Sequence, residues 1–208
     1  MSRDTVTMAT SSPDRRIDLV SGTAIPLRGN NIDTDRIIPA RYLKAITFEG
    51  LGEHVFEDDR ASMPDHPFEN PAYAGASILV VNENFGSGSS REHAPQALKR
   101  WGIGACVGES FSEIFLGNAT AIGLPCATAD AGGVERLMSA AERDPQTRMT
   151  LSVAGSHVEA AGHTVPVRIP DAVREALLTG QWDATALLLD DFDAVRAVSG
   201  RLPYVTGF

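Results

Sequence analysis

The chain has 208 residues, 43% hydrophobic and 22% charged, with a formal net charge of -9. A chain of this length builds a core without disulfide staples, because folding buries roughly 70% of the unfolded surface. The acidic balance excludes a nucleic-acid surface, which needs clustered Lys and Arg. It also means that local arginines must attract any anionic substrate against the overall field.

Met1 to Asp14 is rich in Ser, Thr and charge and holds no apolar run long enough for a signal peptide or a membrane span. A disordered tail over residues 1–14 and one domain over 15–208 are expected, with no membrane contact. Ile17 to Leu27 alternates loosely and reads as a short strand. Arg28 to Arg36 is dense in turn formers and reads as an ordered loop. Ile37 to Lys44 follows, with Pro39 suited to the first turn of a helix. Glu49 to Ala74 carries three prolines and no clear period, a long excursion of the kind that forms lids or partner contacts.

Ala76 to Val81 is a continuous apolar run, predicting a strand buried on both faces. Ser89 or Ser90 is expected to cap a helix running through Ala94, Ala97, Leu98 and Trp101, since Ser89-x-x-Glu92 has capping-box spacing, and Gly102 ends it. A second buried strand over Ile103–Val107, a short helix over Glu109–Gly117 and a third strand over Leu124–Ala129 complete a β-α-β-α-β rhythm of parallel type. Gly133 to Asp144 is an amphipathic helix with Val134, Leu137, Met138 and Ala141 on one face. Met149–Ala154 and Thr164–Ile169 read as a hairpin pair. One helix opens at Pro170-Asp171, and Leu187 to Val198 supplies the last. Without internal repeats, the whole is one α/β domain with added strands. Cys106 and Cys126 form no C-x-x-C pair; they read as buried free thiols, implying a cytoplasmic protein.

Gly86-Ser87-Gly88-Ser89-Ser90-Arg91-Glu92-His93 is the segment that can carry chemistry. Between a strand and a helix start it gathers backbone N–H groups and hydroxyls, which bind anions. Its glycines allow close approach of a ligand, and Arg91 offers a fork matched to a carboxylate. A dinucleotide fingerprint would need glycine where Arg91 stands, a Walker loop would need Gly-Lys-Ser or Gly-Lys-Thr, and a nucleophile elbow centred on Ser90 would need glycine at Glu92. Taken alone, the segment serves equally as plain helix capping.

The full pattern narrows this. Gly86 to Pro95, preceded by Asn82-Glu83-Asn84-Phe85, resembles the signature of the swivelling domain of the aconitase superfamily. Asp33-Thr34-Asp35-Arg36-Ile37-Ile38-Pro39 is similar to a hallmark of the isopropylmalate isomerase small subunits in that superfamily. Ser110-Phe111-Ser112-Glu113-Ile114-Phe115-Leu116-Gly117-Asn118 resembles a third block of the family. Order and spacing match from about Ile17 to Tyr204. The resemblance implies an α/β fold of swivelling β/β/α type; the element pattern agrees but fits a doubly wound sheet as well.

The resemblance also implies roles. Ser89 would be the general base that removes the proton beside a carboxylate, acting as alkoxide, and later returns it. Ser90 and Arg91 would hold substrate carboxylate, and Asp35 matches an acidic residue lining the site. The loop holding Leu43 would read the variable side group, and Leu43 suits a branched aliphatic one. Arg36, Arg41 and Lys44 are candidates for the local positive field, Arg41 as a substrate ligand.

A helix N-terminus contributes about 0.3–1 kcal/mol and at most about 2, and one pKa unit is about 1.36 kcal/mol. The dipole alone therefore lowers the Ser89 hydroxyl by roughly 1.5 units, too little to ionise it near neutrality. More positive charge must converge there, from Arg91 and a metal centre. This chain cannot hold that metal: a [4Fe-4S] cluster takes about three or four thiolates, the chain has two cysteines, and its histidines form no zinc pattern. No cofactor is therefore expected on this chain.

The family places the cluster in a large subunit, so that subunit is the expected partner and a small hydroxy-dicarboxylate the expected substrate. The leading expectation is interconversion of 2-isopropylmalate and 3-isopropylmalate through isopropylmaleate in leucine biosynthesis, active only with the large subunit. The alternatives are a sister hydro-lyase acting on homoaconitate, citraconate and methylmalate, or dimethylmaleate, and a non-catalytic anion-binding module.

Overall fold

The computed structural model describes residues 15–45, 47–89, 91–202 and 204–205. The tail expected over residues 1–14 and Ser90 lie outside them.

Ile17–Leu27 forms two strands rather than one, β1 (Leu19–Gly22) and β2 (Ala24–Leu27), and they enter different sheets. Burial explains the division: β1 is half solvated, whereas β2 is buried throughout. β2 joins β3 (Ile78–Val81), β4 (Ala105–Gly108) and β5 (Cys126–Thr128) in an all-parallel sheet of that order. β1 pairs antiparallel with β6 (Met149–Ser152), which pairs with β7 (His157–Ala160), which pairs with β8 (His163–Pro166).

The parallel sheet separates two cores, because successive strand residues point to opposite faces. Leu79 and Val81 pack on one side with Ile25, Cys106 and Cys126, under α1 (Thr34–Ile37), α3 (His93–Trp101) and α4 (Glu113–Ala121). Ile78 and Val80 pack on the other with Ala105, Val107 and Ala127, against α5 (Ala131–Arg143), the inner face of the antiparallel sheet and Leu177 of α6 (Asp171–Thr179). Both faces are covered, so β3 and β4 are apolar without alternation. Helices, parallel sheet and antiparallel sheet give the expected β/β/α layering.

Three expectations need correction. The strands 149–154 and 164–169 do not pair with each other; β7 lies between β6 and β8. In β7 only Val158 and Ala160 turn inward while His157 and Glu159 meet solvent, so its apolar signal is two residues long. The last helix is two, α7 (Ala184–Asp190) and α8 (Phe192–Ser199). The second helix begins at Glu113, capped by the Ser112 hydroxyl, which accepts from Phe115 N at 3.3 Å.

The excursion holds α2 (Glu57–Ser62) and short 3-10 turns, and it buries Leu51, Val55, Phe56 and Phe68 in the first core. Gly52 sits so close to α3 that a Cβ there would come within 2.6 Å of the Arg100 carbonyl carbon. This stretch is core-forming. Among the described residues no helix is long and apolar enough to cross a membrane.

Candidate active site

The three sequence blocks leave the C-terminal ends of neighbouring parallel strands: Asp33–Pro39 follows β2, Asn82–His93 follows β3 and Ser110–Asn118 follows β4. Adjacent parallel strands bring their following loops together at one edge of the sheet, where α/β proteins place ligands. Backbone bonds stitch the first two loops: Gly86 N donates to Ile32 O at 2.8 Å and Thr34 N to Ser87 O at 2.9 Å. The Thr34 hydroxyl, 1% exposed as a residue, donates to the Ser89 carbonyl at 3.2 Å.

The third block braces the second. Phe85 N donates to Ser110 O at 3.1 Å, Ser112 N donates to Phe85 O at 3.0 Å, and the Ser112 hydroxyl donates to Gly86 O at 2.6 Å. Gly86 has φ of +74° and a Cβ there would lie 2.3 Å from Phe115 Cγ. Glycine is required twice over, for its backbone and for its missing side chain.

The structure moves the helix start. α3 begins at His93, and Glu92 at its N-cap makes no capping bond; its carboxylate accepts instead from Gln96 Nε2 at 2.7 Å. Pro95 explains this, since it lacks an N–H and clashes with the carbonyl four residues back, so it must fall in the first turn. Ser89 therefore stands four residues ahead of the helix, held by Thr34 rather than serving as the cap. The macrodipole fades within about one turn, so it contributes less at Ser89 than the sequence suggested.

Asp35 lies in α1, whose N-cap Asp33 accepts from Arg36 N at 2.8 Å. Its carboxylate takes both terminal nitrogens of Arg91, with Nη2 to Oδ2 at 3.0 Å. Ser89, Asp35 and Arg91 thus belong to one stitched assembly. The Arg91 side chain is 16% exposed. Among the described residues, neither Arg91 Nε nor His93 Nε2, both buried, has a hydrogen-bond partner, and His93 meets Phe48 edge-on at 5.1 Å between centroids.

Leu43 and Arg41 lie on a 3-10 turn, Ala40–Lys44. Leu43 is half-buried and Arg41 exposed. Arg41 is bidentate to Asp58 at 3.0 and 2.8 Å and reaches Glu57 at 3.1 Å. Glu57 also accepts from the Tyr42 hydroxyl and lies 2.8 Å from His54 Nδ1, while the Tyr42 and His54 rings stack at 4.0 Å. The Tyr42 bond, then Arg41 and His54, hold the Glu57 carboxyl below its ordinary range, and Arg41 does the same to Asp58. Arg36 is paired with Asp59. The acidic first turn of α2 therefore offsets much of the positive field expected from Arg36 and Arg41.

Residues 15–129 match the aconitase C-terminal domain family. The chain is 48% identical over 191 residues to the 3-isopropylmalate dehydratase small subunit of Synechocystis, covering 91% of this chain and 96% of that protein. The same subunit of Thermus thermophilus is 45% identical over 193 residues, covering 91% of this chain and 96% of that one. The chain belongs to the 3-isopropylmalate dehydratase small-subunit family.

A crystal structure titled 3-isopropylmalate dehydratase, from Methanocaldococcus jannaschii, superposes with a TM-score of 0.64 at 25% identity, over 84% of this chain and 99% of that one. Against this family background the thiols can be placed. Cys106 and Cys126 face each other across β4 and β5, buried and free. Contact with Cys106, together with burial, pushes the Cys126 thiol well above its ordinary value. Two buried thiols inside a sheet do not suit an iron–sulfur cluster, which takes about three or four thiolates, and no group of three or more His, Cys, Asp or Glu among the described residues is placed to hold a metal ion. Thr34 and Ser112, which fix the positions of Ser89 and Gly86, were quoted in the sequence blocks without a role. Their small hydroxyls give no sequence signal beyond block membership.

Proposed function

We propose that this chain is the substrate-holding subunit of a 3-isopropylmalate dehydratase, a hydro-lyase of leucine biosynthesis that interconverts 2-isopropylmalate and 3-isopropylmalate through isopropylmaleate. The observation that carries the proposal is the pairing of Asp35 with Arg91 on two loops that also hold Ser89, together with relatives of that name covering nine-tenths of the chain.

In this reading the Arg91 guanidinium and Ser90 hold substrate carboxylate, and Asp35 keeps the guanidinium in place. A carboxylate held there presents the adjacent carbon to Ser89 Oγ, which takes its proton on dehydration and returns it, on the neighbouring carbon, on rehydration. Leu43 borders the isopropyl group, and Arg41 supplies charge at the entrance. Leaving of the hydroxyl needs a Lewis acid, which a [4Fe-4S] cluster in a cytoplasmic large subunit partner would supply.

The test is reconstitution with the large subunit and turnover of 2-isopropylmalate beside homoaconitate, citraconate and dimethylmaleate. Preferred turnover of 2-isopropylmalate, lost in Ser89→Ala, is expected. Preference for another of these acids would assign a sister hydro-lyase, and an unchanged rate in Ser89→Ala would overturn the base.

A further inference from the structure

The turn Ala40–Lys44, which carries Leu43, is bracketed by the Ser89 site. It follows closely on Asp35 of α1, and the chain comes back at Phe48, whose ring meets His93 edge-on at 5.1 Å, next to Arg91 in sequence but for Glu92. Both ends of the segment therefore stand beside the Asp35–Arg91 pair. Yet no residue of the turn is buried, so core packing alone does not fix it.

Its side-chain bonds do. Arg41 is bidentate to Asp58 and reaches Glu57 at 3.1 Å, and the Tyr42 hydroxyl donates to Glu57. The same Glu57 carboxylate lies 2.8 Å from His54 Nδ1. The His54 and Tyr42 rings stack with their planes 17° apart, and the Arg41 guanidinium carbon lies 5.0 Å from the Tyr42 centroid. One carboxylate thus ties Arg41, Tyr42 and His54 together. Its own place is fixed by the core, because Glu57 follows Phe56, which is fully buried and whose N–H donates to Ile37 O at 2.9 Å, at the end of α1. A line of bonds runs from the helix holding Asp35, through Phe56 and Glu57, to the turn holding Leu43.

We propose that Glu57 is a positioning residue for substrate selection: its carboxylate locks the Ala40–Lys44 turn, so that Leu43 meets the substrate's side group at one fixed place. The inference rests on Leu43 bordering the isopropyl group. Glu57 acts through the turn and not on the reacting atoms, so its loss moves the binding of a branched substrate and leaves proton transfer at Ser89 in place.

The experiment uses the complex with the large subunit and, separately, the full chain alone. In the complex, kcat and KM are measured for 2-isopropylmalate and 2-methylmalate, which differ only in the side group that Leu43 would meet. For Glu57→Ala, KM for 2-isopropylmalate is expected to rise about tenfold, with its kcat and the KM for 2-methylmalate within about twofold of the parent. Glu57→Gln keeps an acceptor for the Tyr42 hydroxyl and is expected to fall between Glu57→Ala and the parent. The Glu57 side chain is 37% exposed, so both variants keep the fold. On the chain alone, trypsin cleavage after Lys44, exposed in the turn, is expected to be about tenfold faster in Glu57→Ala. Unchanged cleavage would overturn the clamp whatever the substrate. Faster cleavage with KM raised equally for both acids, or for neither, would overturn its part in selection. A parent that prefers another acid would instead correct the functional reading, and the ratio of the two KM values would still judge the clamp.

Discussion

Asp35 and Arg91 stand 56 residues apart in sequence, yet the carboxylate of one closes on both terminal nitrogens of the other. Half of the Asp35 side chain is exposed and most of the Arg91 side chain is not. The pair thus sits at a surface, with a buried arginine stem steering its head.

The pair is expected to matter for turnover far more than for stability. Exposed ion pairs contribute about 0–1 kcal/mol, so Asp35→Asn is expected to unfold within about 1 kcal/mol of the parent. Freed of its orienting carboxylate, the guanidinium no longer presents a fixed fork. We expect kcat/KM of the reconstituted enzyme to fall about 100-fold, since small misplacements of a binding group cost that much. Arg91→Lys should do at least as badly, because a point charge cannot replace a fork. Urea unfolding and steady-state kinetics on the same preparations separate the two effects.

Gly86 and Gly29 provide an internal comparison. Both have positive φ, +74° and +122°, but a Cβ at Gly29 meets nothing within 4 Å whereas one at Gly86 meets the Phe115 ring at 2.3–2.6 Å. Gly29→Ala is expected to cost only backbone strain, about 1–2 kcal/mol. Gly86→Ala adds overpacking of about 1–3 kcal/mol and displaces the loop that leads to Ser89. Denaturation midpoints showing the two variants equal would contradict the close approach to Phe115.

Ser112 joins two duties in one hydroxyl. It donates to Gly86 O at 2.6 Å and accepts from Phe115 N at 3.3 Å as the cap of α4. Ser112→Ala therefore loses a cap worth about 1 kcal/mol and a hydrogen bond worth about 1 kcal/mol. Because Gly86 leads to Ser89, activity is expected to fall alongside the unfolding free energy. Full activity with reduced stability would show that the brace is structural only.

How much of this could be read from the chain alone depends on where the signal lies. β3, β4 and β5 lie in apolar runs that mark three of the four parallel strands, and β2 falls inside the longer Ile17–Leu27 run, where the division into two strands is not legible. β7 is covered on one face over four residues, and His157-Val158-Glu159-Ala160 carries too short an alternation to register. The start of α3 was misplaced because Ser89-x-x-Glu92 satisfies a capping pattern that Pro95 overrides. The nearness of Asp35 to Arg91 follows from parallel pairing of β2 with β3, which individual side chains do not encode. The block resemblance named both residues without showing their pairing. The pairing of Arg41 with Asp58 was missed because it spans an excursion with no periodic signal.

Acid is expected to weaken the fold in two separable stages. The native pKa of His66 is depressed below its ordinary 6.5 by burial among Phe56 and Phe68. Below pH 6.5 the unfolded chain binds a proton that the folded chain refuses, so stability is whole above that value and declines as pH falls toward the native pKa. Glu57 and Asp58 act lower. Their native pKa values are depressed from 4.5 and 3.8 by Tyr42 and Arg41 respectively, so their contribution is present above those values and lost as pH falls through the native ones. Replacing His66 by Gln removes the first stage and leaves the second, whereas Arg41→Met shrinks the second and leaves the first. Urea midpoints measured from pH 7 downward distinguish them. A wild-type midpoint that stays flat through the first stage would mean that burial does not depress His66 in the folded chain.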